Sequence, residues 1–306
     1  MWAVNKTNES SPILSCIVLG VSKVEYGYIK GLHEMLMLAT CTIALPTALA
    51  NALLLISIYR NKNLQTPAYI LLCGLALTDL SVGIIIEPLY VSSLAAAIQG
   101  NILKSCRLRE FGYRFSYFFT SCSVIIVTCI SVERWLIIHG KFSKLVTKRR
   151  ILGVLATTAV VSFVLDSGWS WFPSAIALQL SAAGLLFCVM VITLAYGRIF
   201  YILRACKARI VSSNTKASKA NRAKYRHSVL TTVYIVTACF ACLLPYVCRN
   251  IIRSFVGYSR TVFIFDHVSV LIVFLNSLIN PALCFWRTKE IRTSWHSCMI
   301  THNGPS

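Results

Sequence analysis

The sequence predicts an all-α membrane protein: a bundle of seven transmembrane helices, with a short amphipathic helix after the last span. Of its 306 residues, 57% are hydrophobic and only 13% are charged, whereas about 25% of the residues in an ordinary soluble domain are charged. The apolar residues come in seven long blocks separated by short charged stretches. Each block is long enough for a helix that crosses about 30 Å of hydrocarbon.

These blocks divide the chain into an extracellular N-terminal segment, 1–32, a seven-helix domain, 33–286, and a cytoplasmic amphipathic helix and tail, 287–306. The fourth block is the weakest, because its helix has to extend to Asp166 or beyond to cross the membrane. The seven predicted spans are 33–59, 67–93, 110–138, 150–166, 174–203, 228–252 and 262–286.

The basic residues fix the predicted orientation. The loops at one end of the bundle carry 18 Lys and Arg residues and those at the other end carry eight, and the more basic side is normally cytoplasmic. The protein is therefore predicted to lie in the plasma membrane with its N-terminus on the extracellular side. Glycosylation sequons begin at Asn5 and Asn8, on the side where acceptors need exposure. Topology accounts for the net charge of +20 without nucleic-acid binding.

The segment after the last span has an amphipathic pattern. Ile291, Trp295 and Met299 recur at near-helical spacing among basic residues, which suits a helix lying on the lipid of the inner leaflet. Cys298 is a candidate palmitoylation site. Chance spacing is the alternative.

Asp79 lies within the second apolar block. A charged group at mid-bilayer costs about 2.5–3.5 kcal/mol on insertion scales, so an acid there is a functional hypothesis by default. It needs polar neighbours or an ion. The candidates at comparable depth are Asn51, Ser123, Asn276 and Asn280. The alternative is a set of unrelated hydrogen bonds between helices.

Two further features concern the shape of the bundle and its inner end. Pro88, Pro245 and Pro281 lie within predicted spans, where a missing N–H and a ring clash bend a helix. Glu133 and Arg134 put an acid and a base side by side at the inner end of the third span.

Together these residues resemble the fingerprint of rhodopsin-type (class A) G-protein-coupled receptors over nearly the whole chain. Asn51 is similar to that family's first-span asparagine, and the stretch 75–80 resembles its second-span aspartate motif. Other matches are Glu133-Arg134-Trp135 with Asp/Glu-Arg-Tyr, Tyr196 with the fifth-span tyrosine, Cys242-Leu243-Leu244-Pro245 with Cys-Trp-x-Pro, and Asn280-Pro281-Ala282-Leu283-Cys284 with Asn-Pro-x-x-Tyr.

The resemblance implies a receptor, not an enzyme, that transmits an extracellular ligand signal to a heterotrimeric G protein. It implies no cofactor beyond a bound sodium ion, whose pocket would comprise Asp79, Ser123, Asn276 and Asn280, with Asn51 nearby. G-protein coupling and switching would involve Glu133, Arg134, Tyr196, Pro245 and Pro281. The alternatives are a receptor-like protein that does not signal and, with less support, a transporter or channel.

Several positions depart from the family pattern. Trp135, Leu243 and Cys284 replace family residues associated with switching. Tyr225, rather than an acid, is expected to face Arg134, so an inner salt bridge that holds the resting state would be absent. Elevated basal activity is therefore a hypothesis.

The outer face departs as well, because the segment 168–173 between spans four and five has no cysteine for the family's usual disulfide. Cys106 lies a turn before the expected position, which Arg109 occupies, and is either free or bonded to Cys16. Cys188 stands where the fifth span usually has proline. The short loop and the missing proline resemble the melanocortin, lysophospholipid and cannabinoid receptor branch.

The ligand is predicted from basic residues at the outer ends of spans three and six. Arginine suits carboxylate or phosphate groups, so an anionic lipid or an acidic peptide is the hypothesis. The alternative is that these arginines reach lipid headgroups or pair with Glu87, Glu110 and Asp266. Candidate ligand contacts are Arg109, Arg114, Arg249, Arg253 and Glu87.

Overall fold

The computed structural model describes residues 26–139, 146–171, 174–210, 233–249, 251–252, 260–287 and 291–292. These ranges contain seven long helices and no strand, which confirms the predicted fold class. The helices are α1 (Tyr26–Arg60), α2 (Pro67–Ile98), α3 (Ile102–His139), α4 (Lys148–Trp171), α5 (Ser174–Ile210), α6 (Val233–Arg249) and α7 (Arg260–Arg287).

Most predicted spans are shorter than the helices that contain them, because helices continue past the hydrocarbon into polar flanks. Five of the seven have described stretches that are long and apolar enough to cross a membrane, namely those in α1, α2, α3, α5 and α7. α6 is shorter in its described part. Of the predicted amphipathic helix the structure describes residues 291–292, which are helical.

α2 changes its winding in the middle. It is α-helical over Pro67–Ser81, π-helical over Val82–Ile86 and α-helical again over Glu87–Ile98. The wider turn lies directly before Pro88, whose ring cannot fit against a regular preceding turn. Gly83 lies in this segment close to α1, where an added Cβ atom would be 3.0 Å from the backbone nitrogen of Ala48.

Two apolar clusters form the core of the bundle. The larger one joins α1 to α7 around side chains such as Leu71, Ile130 and Ile235. The second is built from Leu36 and Val270 among others, with α2 between them. Two groups of buried polar side chains bear on function, one between these clusters at Asp79 and one at the end of the bundle near the start of α1. We call this end the outer end, following the predicted orientation.

Candidate functional site

A small cavity lies beside Asp79 in the middle of the bundle. It has a volume of about 20 Å³, which is enough for one water-sized sphere. Of the residues predicted to gather here, Asp79, Ser123 and Asn276 line it. Its other lining residues include Ser116, Thr120, Cys239, Leu243, Phe274 and Ser277.

A hydrogen bond ties Asp79 to α7. The amide of Asn280 donates to Asp79 Oδ2 over 2.8 Å, and Ser277 lines the same cavity as the carboxylate. Asp79 is 1% exposed. A buried carboxylate is therefore held by a neutral donor of α7, the residue directly before Pro281.

Two further predicted residues hold the neighbouring helices together. Ser123 of α3 shares a hydrogen bond of 2.9 Å with the hydroxyl of Thr78 on α2. Asn51 of α1 donates to the carbonyl oxygen of Ser277 over 3.0 Å. The structure thus brings together all five residues predicted for this region, with Asn51 supporting the α7 backbone outside the cavity wall.

The oxygen atoms around this cavity are suited to a small hard cation. Asp79 supplies a carboxylate, and Oδ1 of Asn276 is a buried acceptor with no partner in the described ranges. Oxygen ligands of this kind suit hard cations. No group of three His, Cys, Asp or Glu side chains within the described ranges could hold a metal, so any ion here would depend on one acid and neutral oxygens.

Ser277 and Cys239 were missed by the sequence reasoning. Ser277 lies three residues before Asn280, so both face Asp79 from one side of α7. This spacing is a signal that could have identified it. Cys239 lines the cavity from α6, and nothing in the sequence distinguishes its thiol from those of the other buried cysteines.

At the inner end of α3, Arg134 pairs with its neighbour. Its Nε lies 3.4 Å from Glu133 Oε2, and the Arg134 side chain is 19% exposed. Tyr196 packs against the larger apolar cluster. Tyr225, the predicted partner on α6, lies outside the described residues. Pro245 and Pro281 lie inside α6 and α7, as predicted.

A second group of buried polar side chains lies at the outer end, and we call it the outer cluster. Its centre is Asp266 of α7, which faces Arg249 Nη1 of α6 at 2.5 Å. Tyr113 of α3 donates to the same carboxylate over 3.0 Å. The guanidinium of Arg249 also stacks 4.3 Å from the ring centroid of Tyr246. One acid therefore connects α3, α6 and α7.

Two histidines complete the outer cluster. His267 of α7 is 1% exposed, and its Nδ1 lies 2.6 Å from the hydroxyl of Tyr90 on α2. His33 of α1 meets the His267 ring edge-on at 5.5 Å between centroids. Neither histidine was singled out from the sequence, because neither has a motif around it.

Arg109 of α3 is the second buried cation of the outer cluster. It is 6% exposed, and its Nε and Nη2 have no hydrogen-bond partner among the described side chains and backbone. Its charge acts on His33, Tyr90 and His267. The outer cluster thus holds two guanidinium groups, and its paired carboxylate, Asp266, is already bound to Arg249.

The remaining candidate ligand contacts are placed differently. Arg114 pairs with Glu110 at 3.1 Å on the exposed side of α3, which is the alternative that the sequence left open. Glu87 is 0% exposed, and neither of its carboxyl oxygens has a described partner. Arg253 lies outside the described side chains, as do Asn5, Asn8 and Cys298.

Cys106 is disulfide-bonded in the structure. Of the two alternatives left open, a free thiol is therefore wrong. Its partner lies outside the residues with described side chains, so the bond to Cys16 stays a prediction.

The fold and the mid-membrane site together define a class of protein. The profile of the 7 transmembrane receptor (rhodopsin family) matches residues 50–172 and 165–283. The chain belongs to this family, as its motifs predicted. It is a multi-pass membrane protein of a family of receptors.

Similar proteins come from several groups of receptors. Trace amine-associated receptor 365 of Petromyzon marinus is 24% identical over 97% of this chain and 88% of its own. Adenosine receptor A3 of Bos taurus is 24% identical over 83% of this chain and 86% of its own. Melanocortin receptor 4 of Danio rerio is 24% identical over 88% of this chain and 86% of its own. Because these identities are equal, the branch of the family stays a prediction.

Proposed function

We propose that the chain is a plasma-membrane receptor that transmits an extracellular ligand signal to a heterotrimeric G protein. The observation that carries the proposal is the link between Asp79 of α2 and Asn280 of α7, beside the proline of α7. The carboxylate is buried and is held by a neutral donor next to the proline bend of α7. Two arrangements of α7 could therefore contact this carboxylate in different ways. A ligand with different affinities for the two arrangements would shift their populations.

The inner end is where the G protein would bind. Arg134 pairs with the adjacent Glu133, so a change of partner for Arg134 requires only a side-chain movement within α3. In this proposal Arg134 engages the G protein when α6 and α7 move at Pro245 and Pro281. Tyr196 is proposed to face the same opening from α5.

The cavity beside Asp79 is proposed to hold a sodium ion through Asp79, Ser123 and Asn276, with Asn280 and Asn51 orienting the acid and the α7 backbone. The ion would supply a positive charge that offsets the buried carboxylate. Ions that bind one arrangement of a receptor more tightly than another bias the equilibrium between them.

A second-messenger assay with a panel of G-protein subtypes, in cells that receive no added ligand, tests the coupling. We expect wild type to signal above mock-transfected cells, because Tyr225 cannot form an inner salt bridge with Arg134. We expect Arg134→Ala to fall to the mock level. Arg198→Ala is the control, since Arg198 is an exposed arginine of α5.

The same assay can be run on isolated membranes in sodium and in choline buffer. Wild-type signalling is expected to depend on the choice of cation, and Asp79→Asn to remove that dependence. If no G-protein subtype responds despite normal surface expression, with or without an added lipid and peptide library, the chain is a receptor-like protein that does not signal. If Asp79→Asn responds to sodium as wild type does, the ion site is wrong.

A further inference from the structure

The outer cluster has an unbalanced set of charges. Asp266 is its one described carboxylate in an ion pair, and that pair is with Arg249. Arg109 adds a second buried cation with no ion pair within the described ranges. A buried charge that lacks a counter-ion costs several kcal/mol, so a structure that keeps one implies a use for it.

The unpartnered atoms of the cluster are mainly donors. Arg109 presents Nε–H and Nη2–H, which have no described acceptor and which form a planar fork that matches two oxygens of one acid. The existing acid cannot take this role without leaving Arg249. Glu87, the other buried acid on the outer half of α2, makes no hydrogen bond to the fork either. An acid group of a bound ligand would supply the two oxygens that the fork lacks among the described residues.

His267 adds a third donor to the outer cluster, because it follows Asp266, which accepts a hydrogen bond from Tyr113, one turn after Arg109 on α3. The buried hydroxyl of Tyr90 needs an acceptor, and Nδ1 of His267 at 2.6 Å is its described partner. When the hydroxyl donates there, the neutral imidazole carries its proton on Nε2. Nε2 is buried and has no described partner, so its N–H is available to a ligand oxygen.

We propose that the outer cluster is a binding site for one anionic group, a carboxylate or a phosphate monoester, of an extracellular ligand. Arg109 would bind it through the Nε and Nη2 fork, and His267 Nε2–H would donate a further hydrogen bond. This inference rests on the proposed receptor function, of which it names the ligand chemistry. Arg249 stays paired with Asp266.

The arginines predicted as ligand contacts differ in whether they already have an acidic partner. Arg114 is exposed and already pairs with Glu110, and Arg249 pairs with Asp266. The charge of Arg109 is the one that is buried without a described counter-ion. Its position on α3, four residues after Ser105, lies one turn from the contact where the Ser105 hydroxyl donates to Ser93 of α2.

Thermal unfolding of the purified receptor in detergent tests the site. Buried thiols such as those of Cys239 and Cys284, which are free and at most 2% exposed, become accessible to a thiol-reactive dye on unfolding. The probes are succinate, inorganic phosphate and octyl phosphate, each compared with a mixture of sodium chloride and choline chloride that has the same sodium concentration and ionic strength. We expect at least one anion to raise the melting temperature saturably.

The variants assign the effect to Arg109. Arg109→Gln is expected to weaken the anion about tenfold or more, as for the loss of hydrogen bonds to a charged group. Arg109→Lys keeps the charge but loses the fork, so its affinity is expected to be intermediate. The matched control is Arg114→Gln, an exposed arginine of the same helix, which should behave as wild type.

Both sources of the anionic group are distinguished by the probes. Stabilisation by octyl phosphate alone indicates a lipid headgroup, and equal stabilisation by the short anions indicates a soluble ligand. No response to any of the three anions, or an undiminished response in Arg109→Gln, overturns the proposal. The binding assay needs no G protein, so Arg134→Ala should keep the anion response even if it loses signalling, which separates this inference from the proposed function.

Discussion

The mid-membrane cavity and the outer cluster both place an acid among buried polar side chains, and they satisfy that acid in different ways. Asp79 accepts a hydrogen bond from the neutral amide of Asn280. Asp266 is paired with a full positive charge on Arg249. A neutral donor does not offset the charge of Asp79, which is why a small cation is proposed beside it. The ion pair offsets the charge of Asp266.

The difference also decides which region can rearrange at little cost. Exchanging one hydrogen bond for another changes the free energy by less than the contribution of a single bond, which is about 0.5–1.5 kcal/mol between neutral groups and about 1.5–3 kcal/mol to a charged group. Separating a buried ion pair instead leaves two uncompensated charges. We therefore expect the outer cluster to keep its pair in both arrangements of the receptor, while the bonds between α2 and α7 change.

The largest effect is expected for Arg249→Met. The variant leaves Asp266 as a buried, unpaired acid, so it should lower the free energy of unfolding by about 3–5 kcal/mol. The decrease would appear as a fall in melting temperature and in the yield of folded receptor after detergent extraction.

The double variant Arg249→Met/Asp266→Leu provides the control. It replaces both charges by apolar side chains, and should recover much of the lost stability because no orphaned charge remains. Equal stability of wild type and Arg249→Met would show that the pair is not buried in the folded receptor.

Arg109→Met should change stability in the opposite direction. With no anionic ligand present, Arg109 is a buried cation whose Nε and Nη2 have no described partner, and each such unsatisfied group costs about 1–3 kcal/mol. Its replacement by a flexible apolar side chain is expected to raise the melting temperature of the ligand-free receptor. A fall as large as that of Arg249→Met would mean that Arg109 has a structural counter-ion.

The mid-membrane site could be predicted from the sequence to a larger extent than the outer cluster. Asp79, Asn276 and Asn280 are polar residues in strongly apolar blocks. Because burying them in lipid is costly, they are expected to lie close together inside the bundle. The seven helices follow from the same blocks. Their exact ends do not, because helices extend past the hydrocarbon by lengths that the loops determine.

Predicting the outer cluster would require knowing how each helix is rotated about its axis, which the apolar blocks of the sequence do not specify. Arg109 and Arg114 are five residues apart and so face different sides of a helix with 3.6 residues per turn, a spacing that could have separated the buried arginine from the exposed one. The π-helical turn at Val82–Ile86 changes the side of α2 on which Tyr90 lies. That shift, and with it the contact to His267, could not be read from the sequence.

The smallest effect concerns neutral hydrogen bonds, and it tests whether charge alone distinguishes the two regions. Tyr90→Phe leaves Nδ1 of His267 without its partner, so the free energy of unfolding should fall by about 1 kcal/mol. In the mid-membrane site, Ser123→Ala removes a comparable bond, but Thr78 keeps its bond to the Leu75 carbonyl oxygen at 2.7 Å, so the loss should be smaller.

The control for both is Tyr59→Phe, whose side chain is 81% exposed, and it should unfold at the wild-type temperature. Two small losses of similar size would mean that neutral bonds are worth the same in both places, and that the regions differ through their charged groups. A loss for Tyr90→Phe as large as that of Arg249→Met would instead show that Tyr90 and His267 form one unit with the ion pair. In that case the outer cluster would respond as a whole to any ligand that binds Arg109.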